Sequence, residues 1–163
     1  MNEPYYRPAL ARIHHEGFGF HADDCAPGIL RLLEPVRASG GLVVELGSGS
    51  GLLTRYLVDA GHRVAATDAS PAMLEIAATY ATGVSDIKLL VLPDELIPEA
   101  DAIVSVGHVL SYLSDEDSIT RALVAIAKAL RPGGVVAIDI CDFAYAAARR
   151  EPATKAWRHD DWR

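Results

Sequence analysis

One stretch constrains this chain more than any other: Val43-Val44-Glu45-Leu46-Gly47-Ser48-Gly49-Ser50-Gly51, an apolar run that breaks into three alternating glycines before a helical pattern resumes at Leu52. It reads as a strand that hands over to a helix through a loop stripped of side chains. Glycine lets the backbone turn tightly and come within contact of a ligand, and the helix that follows offers unpaired N–H groups and the positive end of its dipole. A small ligand with polar or anionic groups is expected on this loop.

The rest of the chain alternates short β-branched runs with longer helical patterns. Asp24 is placed to cap a helix carrying Ile29, Leu32, Leu33 and Val36 at helical spacing, and Ser39-Gly40-Gly41 ends it. Strands are expected at 42–46, 62–67, 87–92, 102–106 and 135–140, and helices at 52–60, 71–83 and 119–130. Ser70 with Pro71 starts one of these helices, Ser114 with Asp117 starts another, and Arg131-Pro132-Gly133-Gly134 stops the last. Strands that are apolar throughout, separated by helices, predict an α/β fold: a Rossmann-like, doubly wound, mostly parallel sheet of about five strands with helices on both faces. Such sheets bind ligands beyond the carboxyl ends of the strands, where the strand order reverses. The informative residues obey that rule: Gly47 to Gly51 follow the first strand, Asp68 the second, Pro93-Asp94 the third, Gly107-His108 the fourth and Cys141-Asp142 the fifth.

Composition narrows the function classes. At 163 residues, half of them apolar, the chain suits a single domain with a proper core. No run of about 18 uninterrupted apolar residues occurs, so no membrane span is expected. The start Met1-Asn2-Glu3-Pro4-Tyr5-Tyr6 lacks a secretion signal and the two cysteines look like reduced thiols, which predicts a cytoplasmic protein. A formal charge of −7, from 15 basic and 22 acidic residues without a Lys/Arg cluster, argues against a nucleic-acid partner.

Two ligand classes pair a glycine loop with an acidic residue about 20 positions later that takes both ribose hydroxyls, and Asp68 fits either. A dinucleotide fingerprint wants its third glycine where this chain has Leu52, which disfavours a pyrophosphate ligand.

Three motifs together, Glu45-Leu46-Gly47-Ser48-Gly49-Ser50-Gly51, Thr67-Asp68-Ala69-Ser70-Pro71-Ala72-Met73-Leu74 and Leu130-Arg131-Pro132-Gly133-Gly134, resemble a class I S-adenosylmethionine-dependent methyltransferase from about Leu42 to Ile140. The resemblance implies that Gly47 and Gly49, with Ser48 and Gly51 in the same loop, pass beneath the methionine part of the cofactor, and that Glu45 organises the loop from behind. It implies that Asp68 binds the ribose, that Ala69 and Met73 pack near ribose and adenine, and that Asp94, beside Pro93, receives the adenine amino group. Pro93 stands where the family often has glycine. Val106 and Gly107 would line the methionine end. The segment before the core often folds across the cofactor in this family, which gives Tyr6, Phe18, Phe20, His21 and His108 a place at the acceptor.

On this reading 1–163 is one domain, with a lid segment at 1–23, a cofactor-binding core at 24–142 and a C-terminal helix and tail at 143–163. The implied reaction moves a methyl group from S-adenosylmethionine to a small-molecule acceptor by in-line displacement and leaves S-adenosylhomocysteine. A sulfonium is already a good leaving group, so no catalytic residue is assigned; His108 is the first candidate for a base, with Tyr5, Tyr6, His21 and Asp142 behind it. His21, Asp23, Asp24 and Cys25 lack a regular ligand spacing and a second half elsewhere, so no metal is expected. The family usually adds a helix and an antiparallel strand pair after the fifth strand, and no such strands can be read here. A truncated cofactor-binding module without turnover, a homodimer that completes its site across subunits, and an NAD-binding oxidoreductase domain stand as alternatives.

Overall fold

The computed structural model describes residues 6–141. Two helices, α1 (Pro8–Gly17) and α2 (Phe20–Ala38), precede β1 (Leu42–Leu46), α3 (Leu52–Asp59), β2 (Arg63–Asp68), α4 (Pro71–Tyr80), β3 (Asp86–Leu89), β4 (Ala100–Ser105), a 3-10 turn (Val109–Tyr112), α5 (Glu116–Ala129) and β5 (Leu130–Ile138). All four strand pairings are parallel, in the order β3-β2-β1-β4-β5. The chain builds outward from β1 to β3, then returns to the other side of β1, so the order reverses between β1 and β4. The expected sheet, with helices on both faces, is what forms. The expected C-terminal helix and tail, with Trp157 and Trp162, lie outside the described residues. Among the described residues no helix is long and apolar enough to cross a membrane.

Alternation along the buried strands divides the core into two layers. Val43, Val64, Ala102 and Val104 point to one face, where they meet Leu33 and Val36 of α2 and Leu53 and Leu57 of α3. Val44, Leu46, Ala65 and Ile103 point to the other, against Ile126 and Ala129 of α5.

Several boundaries differ from the sequence expectation. Helix α2 starts at Phe20, so Asp24 lies inside it rather than capping it, and Ala22, Ala26, Leu33 and Val36 form its buried face. Leu32 is exposed, because it falls beside that face and not on it. The cap of α5 is Asp115, whose carboxylate accepts from the Ser118 N–H at 2.7 Å. A carboxylate holds the positive helix end more strongly than the expected Ser114 hydroxyl. Strand β3 is shorter than predicted and largely exposed, consistent with its place at the sheet edge. Residues 131–134 bulge between the Ala100–Leu130 and Ala102–Val135 pairs, which the edge position of β5 tolerates.

The turn after β1 locks onto the turn after β4. Gly47 has φ +68°, and a Cβ built there would stand 2.3 Å from a Val109 methyl. Gly47→Ala should therefore destabilise the fold by about 2–4 kcal/mol, from a left-handed residue plus overpacking. Val109→Ala in the same chain should restore part of it; denaturant unfolding of both variants measures this.

Candidate functional site

The carboxyl ends of β1, β2 and β4 converge where the strand order reverses. From β1 comes the glycine loop, and its glycines do different jobs. Gly49 (φ +56°) faces open space, since a Cβ there would meet only the Met73 thioether at 4.0 Å. Gly51 (φ +84°) instead makes room for α4, whose Ala77 backbone would lie 3.2 Å from an added Cβ. Across the crevice, a Cβ on Gly107 (φ +90°) would meet nothing within 4 Å. The Ser48 hydroxyl is buried in the loop with no hydrogen-bond partner among the described residues.

Asp68, the last residue of β2, closes the loop. Its carboxylate accepts from the Gly49 N–H at 2.8 Å and from the Ser70 N–H at 2.8 Å. Burial raises its pKa, and backbone N–H groups of Ser70, Gly49 and Ala69 oppose the rise. Glu45 is more strongly affected. It is buried beneath the loop and accepts from the Thr54 hydroxyl at 2.7 Å. Burial pushes its pKa to about 8; the Thr54 hydrogen bond opposes this and the Asp68 charge adds to it. No basic side chain is among the groups acting on either carboxyl.

On the far lip, Gly107 and His108 both take left-handed backbone conformations, and His108 is the one described non-glycine residue with positive φ. The turn is held by Asp139, the residue after β5, whose carboxylate accepts from the Gly107 N–H at 3.0 Å and the His108 N–H at 2.8 Å. His108 Nδ1 stands 3.2 Å from the same carboxylate. The His21 ring packs edge-on to His108 with centroids 5.2 Å apart. Val106 is half-buried between β4 and this turn.

The N-terminal segment lies against the same elements. The Ser70 hydroxyl donates to the Tyr6 carbonyl at 2.6 Å, and His15 Nδ1 is 2.9 Å from the Ser50 hydroxyl of the glycine loop. Tyr6 contacts both the Tyr112 hydroxyl, at 3.2 Å, and the His14 ring, which stacks on Phe18. Phe18 and Phe20 remain exposed.

Glu45, Gly47, Ser48, Gly49, Asp68, Ala69 and Met73 are thus gathered on one side of the crevice, with Val106, Gly107, His108 and His21 on the other. Asp94 is not drawn in. It is exposed, and its carboxylate pairs with Arg121 of α5 at 2.7 Å. Tyr5 and Asp142 lie outside the described residues. Sequence reasoning missed Asp139 because it ran the fifth strand to residue 140, and missed Thr54 and Val109 because each acts on a neighbour far away in sequence. A groove lined by Val36, Ser39, Asp101 and Gly134 lies at the amino ends of β4 and β5, at the opposite end of the strands from these groups.

The state of Glu45 makes stability pH-dependent. The folded protein keeps a proton that the unfolded chain releases above about pH 4.5, so this group's contribution is full below that pH, falls as pH rises to about 8, and is level above. Glu45→Gln, which keeps an acceptor for Thr54, should remove a decline of up to roughly 5 kcal/mol across that window. Chemical unfolding of both proteins at several pH values measures it.

Comparison with known proteins agrees with the geometry. A family model for a methyltransferase domain matches residues 43–134. The chain is 39% identical over 85 residues to an uncharacterized methyltransferase, YrrT, of Bacillus subtilis (strain 168), covering 50% of this chain and 39% of that protein. It is 35% identical over 108 residues to the malonyl-(acyl-carrier protein) O-methyltransferase of Pectobacterium atrosepticum, covering 66% of this chain and 42% of that one. The chain thus spans about two-fifths of the length of these curated relatives. Among solved structures, the DhpI-SAM-HEP complex superimposes with a TM-score of 0.65 at 27% identity, covering 96% of this chain and 74% of that chain. The matched segment runs from β1 through the glycine loop, Asp68 and the Gly107–His108 turn to the bulge of β5, leaving His21 and Asp139 outside it, and the chain belongs to the methyltransferase domain family.

Proposed function

We propose that this chain binds S-adenosylmethionine across the β1/β4 switch point and transfers its methyl group to a small-molecule acceptor. The observation that carries this is the pairing of two open glycine backbones, Gly49 and Gly107, with two carboxyl groups, Glu45 and Asp68, on which no basic side chain acts. A diphosphate would meet like charge at Asp68, while Glu45 keeps its proton up to about pH 8. A ligand with a sulfonium and an ammonium group meets opposite charge. The unpartnered Ser48 hydroxyl and the space over Gly49 fit such a ligand, and the similar DhpI structure is a complex with SAM.

In this assignment Asp68 takes the ribose hydroxyls while still accepting from Gly49 and Ser70, because each carboxylate oxygen has a second lone pair. Glu45 sets the loop from below, Gly47 to Gly51 form its path, and Val106 and Gly107 flank the methionine end. Ala69 and Met73 lie on the adenine side. Asp94 would have to leave Arg121 to reach the base, so Pro93 and Asp94 contribute least. The bound cofactor supplies an activated methyl group. The protein's part is alignment of the acceptor, which in well-oriented systems contributes roughly 7 kcal/mol or more. Tyr6, Phe18, Phe20, His21 and His108 form the acceptor side, and the N-terminal segment, tied to Ser70 through Tyr6 and to Ser50 through His15 of α1, serves as the lid.

Calorimetric titration should show binding of S-adenosylmethionine and S-adenosylhomocysteine and none of NAD. Asp68→Ala should weaken that binding by about 1.5–3 kcal/mol, the scale of hydrogen bonds to a charged group. Unchanged affinity in the variant would remove Asp68 from the site, and NAD binding alone would overturn the assignment.

A further inference from the structure

His21, Asp23, Asp24 and Cys25 look in sequence like half of a metal site without its other half. The fold separates these residues and supplies what was missing. Asp23 is engaged by the Tyr56 hydroxyl at 2.7 Å and Asp24 is exposed on α2. His21, in the first turn of α2, instead meets His108 from the turn after β4 and Asp139 from the end of β5, and one ligand atom from each of the three lies within 4.8 Å of the others.

We propose that His21, His108 and Asp139 form a binding site for a divalent transition-metal ion at the acceptor side of the crevice. Two imidazoles and one carboxylate, with the remaining positions open, are a donor set that suits borderline first-row ions. Bonds of about 2.0–2.2 Å to nitrogen and oxygen place neighbouring ligand atoms about 3 Å apart. The observed 3.2 Å between His108 Nδ1 and Asp139 Oδ2 meets that spacing without rearrangement. His21 is exposed, so a rotation of its side chain closes the remaining gap.

The support behind these ligands is already built. Both Asp139 oxygens accept backbone N–H groups, from Gly107 and His108, which fixes the carboxylate as metal-site carboxylates are fixed by their outer partners. The same two bonds hold His108 in its left-handed conformation, φ 65°, and so aim its ring. A residue in that conformation costs energy unless its surroundings impose it, and here the carboxylate that imposes it is also the third ligand. If the methyl-transfer assignment holds, the ion would bind an oxygen of the acceptor and ease loss of its hydroxyl proton to solvent water as the O–CH3 bond forms and the S–CH3 bond breaks to release S-adenosylhomocysteine, which makes a hydroxyl-bearing small molecule the acceptor class. Metal binding itself does not depend on that assignment.

The test uses the tag-free 163-residue chain, stripped with a chelator and titrated with Zn²⁺ by calorimetry and with Co²⁺ by visible absorption. One ion per chain is expected, with Co²⁺ bands typical of nitrogen and oxygen ligands. His21→Ala, His108→Ala and Asp139→Asn should each weaken Zn²⁺ binding by roughly tenfold or more. His21→Ala changes an exposed side chain and keeps the test open if Asp139→Asn disturbs the turn. Absence of saturable Zn²⁺ binding, or binding unchanged in both His21→Ala and His108→Ala, overturns the proposal. S-adenosylmethionine titration of the same samples separates the two assignments. Cofactor binding without Zn²⁺ binding sinks only the metal site; Zn²⁺ binding without cofactor binding supports the metal site and sinks the methyl-transfer assignment.

Discussion

The carboxylate of Asp68 is the joint on which the site depends. Parallel strands are connected by crossovers and not by tight turns, so the loops at their carboxyl ends are independent until something joins them. Asp68 does this with one side chain: one oxygen takes the N–H of Gly49 in the β1 loop, the other the N–H of Ser70 at the start of α4. A charge buried this far needs such donors to remain tolerable, and they work against the pKa rise that burial causes. Ser70 carries the connection outward, since its hydroxyl accepts from the Met73 N–H and donates to the Tyr6 carbonyl. Loop, helix start and N-terminal segment are thereby positioned from one point.

The two lips of the crevice follow the same rule. What Asp68 does for the glycine loop, Asp139 does for the Gly107–His108 turn: Asp139 receives the N–H groups of two left-handed residues, Asp68 those of left-handed Gly49 and of Ser70 at the start of α4. Carboxylates suit this work because they accept several hydrogen bonds at once and have no donor to leave unsatisfied. The consequence is a crevice whose walls carry acid from within and aromatic and imidazole rings from α1 and α2 outside.

That acid reverses what the glycine loop suggests alone. An open loop before a helix N-terminus favours an anion. The Asp68 charge beside it weighs against one, with Glu45 beneath holding its proton up to about pH 8, and the charge at the site, not the loop motif, distinguishes a sulfonium ligand from a diphosphate. Leu52 in place of a third glycine pointed the same way from sequence, through packing rather than charge.

Much of the fold was legible because its signals are local. Apolar runs such as 42–46 and glycines at Gly47, Gly49 and Gly51 follow from steric rules that act over a few residues, and they located the sheet, the glycine loop and Asp68. Boundaries were less legible where a competing local signal existed: Asp24 resembles a cap, yet α2 begins earlier because its buried face starts at Ala22. The site's outer half was legible only in part: Gly107, His108 and His21 were expected there, but the contacts that hold them were not. Asp139 has no motif, and its role arises from β5 lying beside β4; Val109 matters because it fills the space that Gly47 leaves; His21 matters because α2 brings its first turn to His108. Local chemistry in the sequence determined a doubly wound sheet with a glycine loop and an acid after its second strand. Only the tertiary structure decided which distant groups face that loop, because burial, ion pairing and hydrogen bonding act between residues that sequence does not place together.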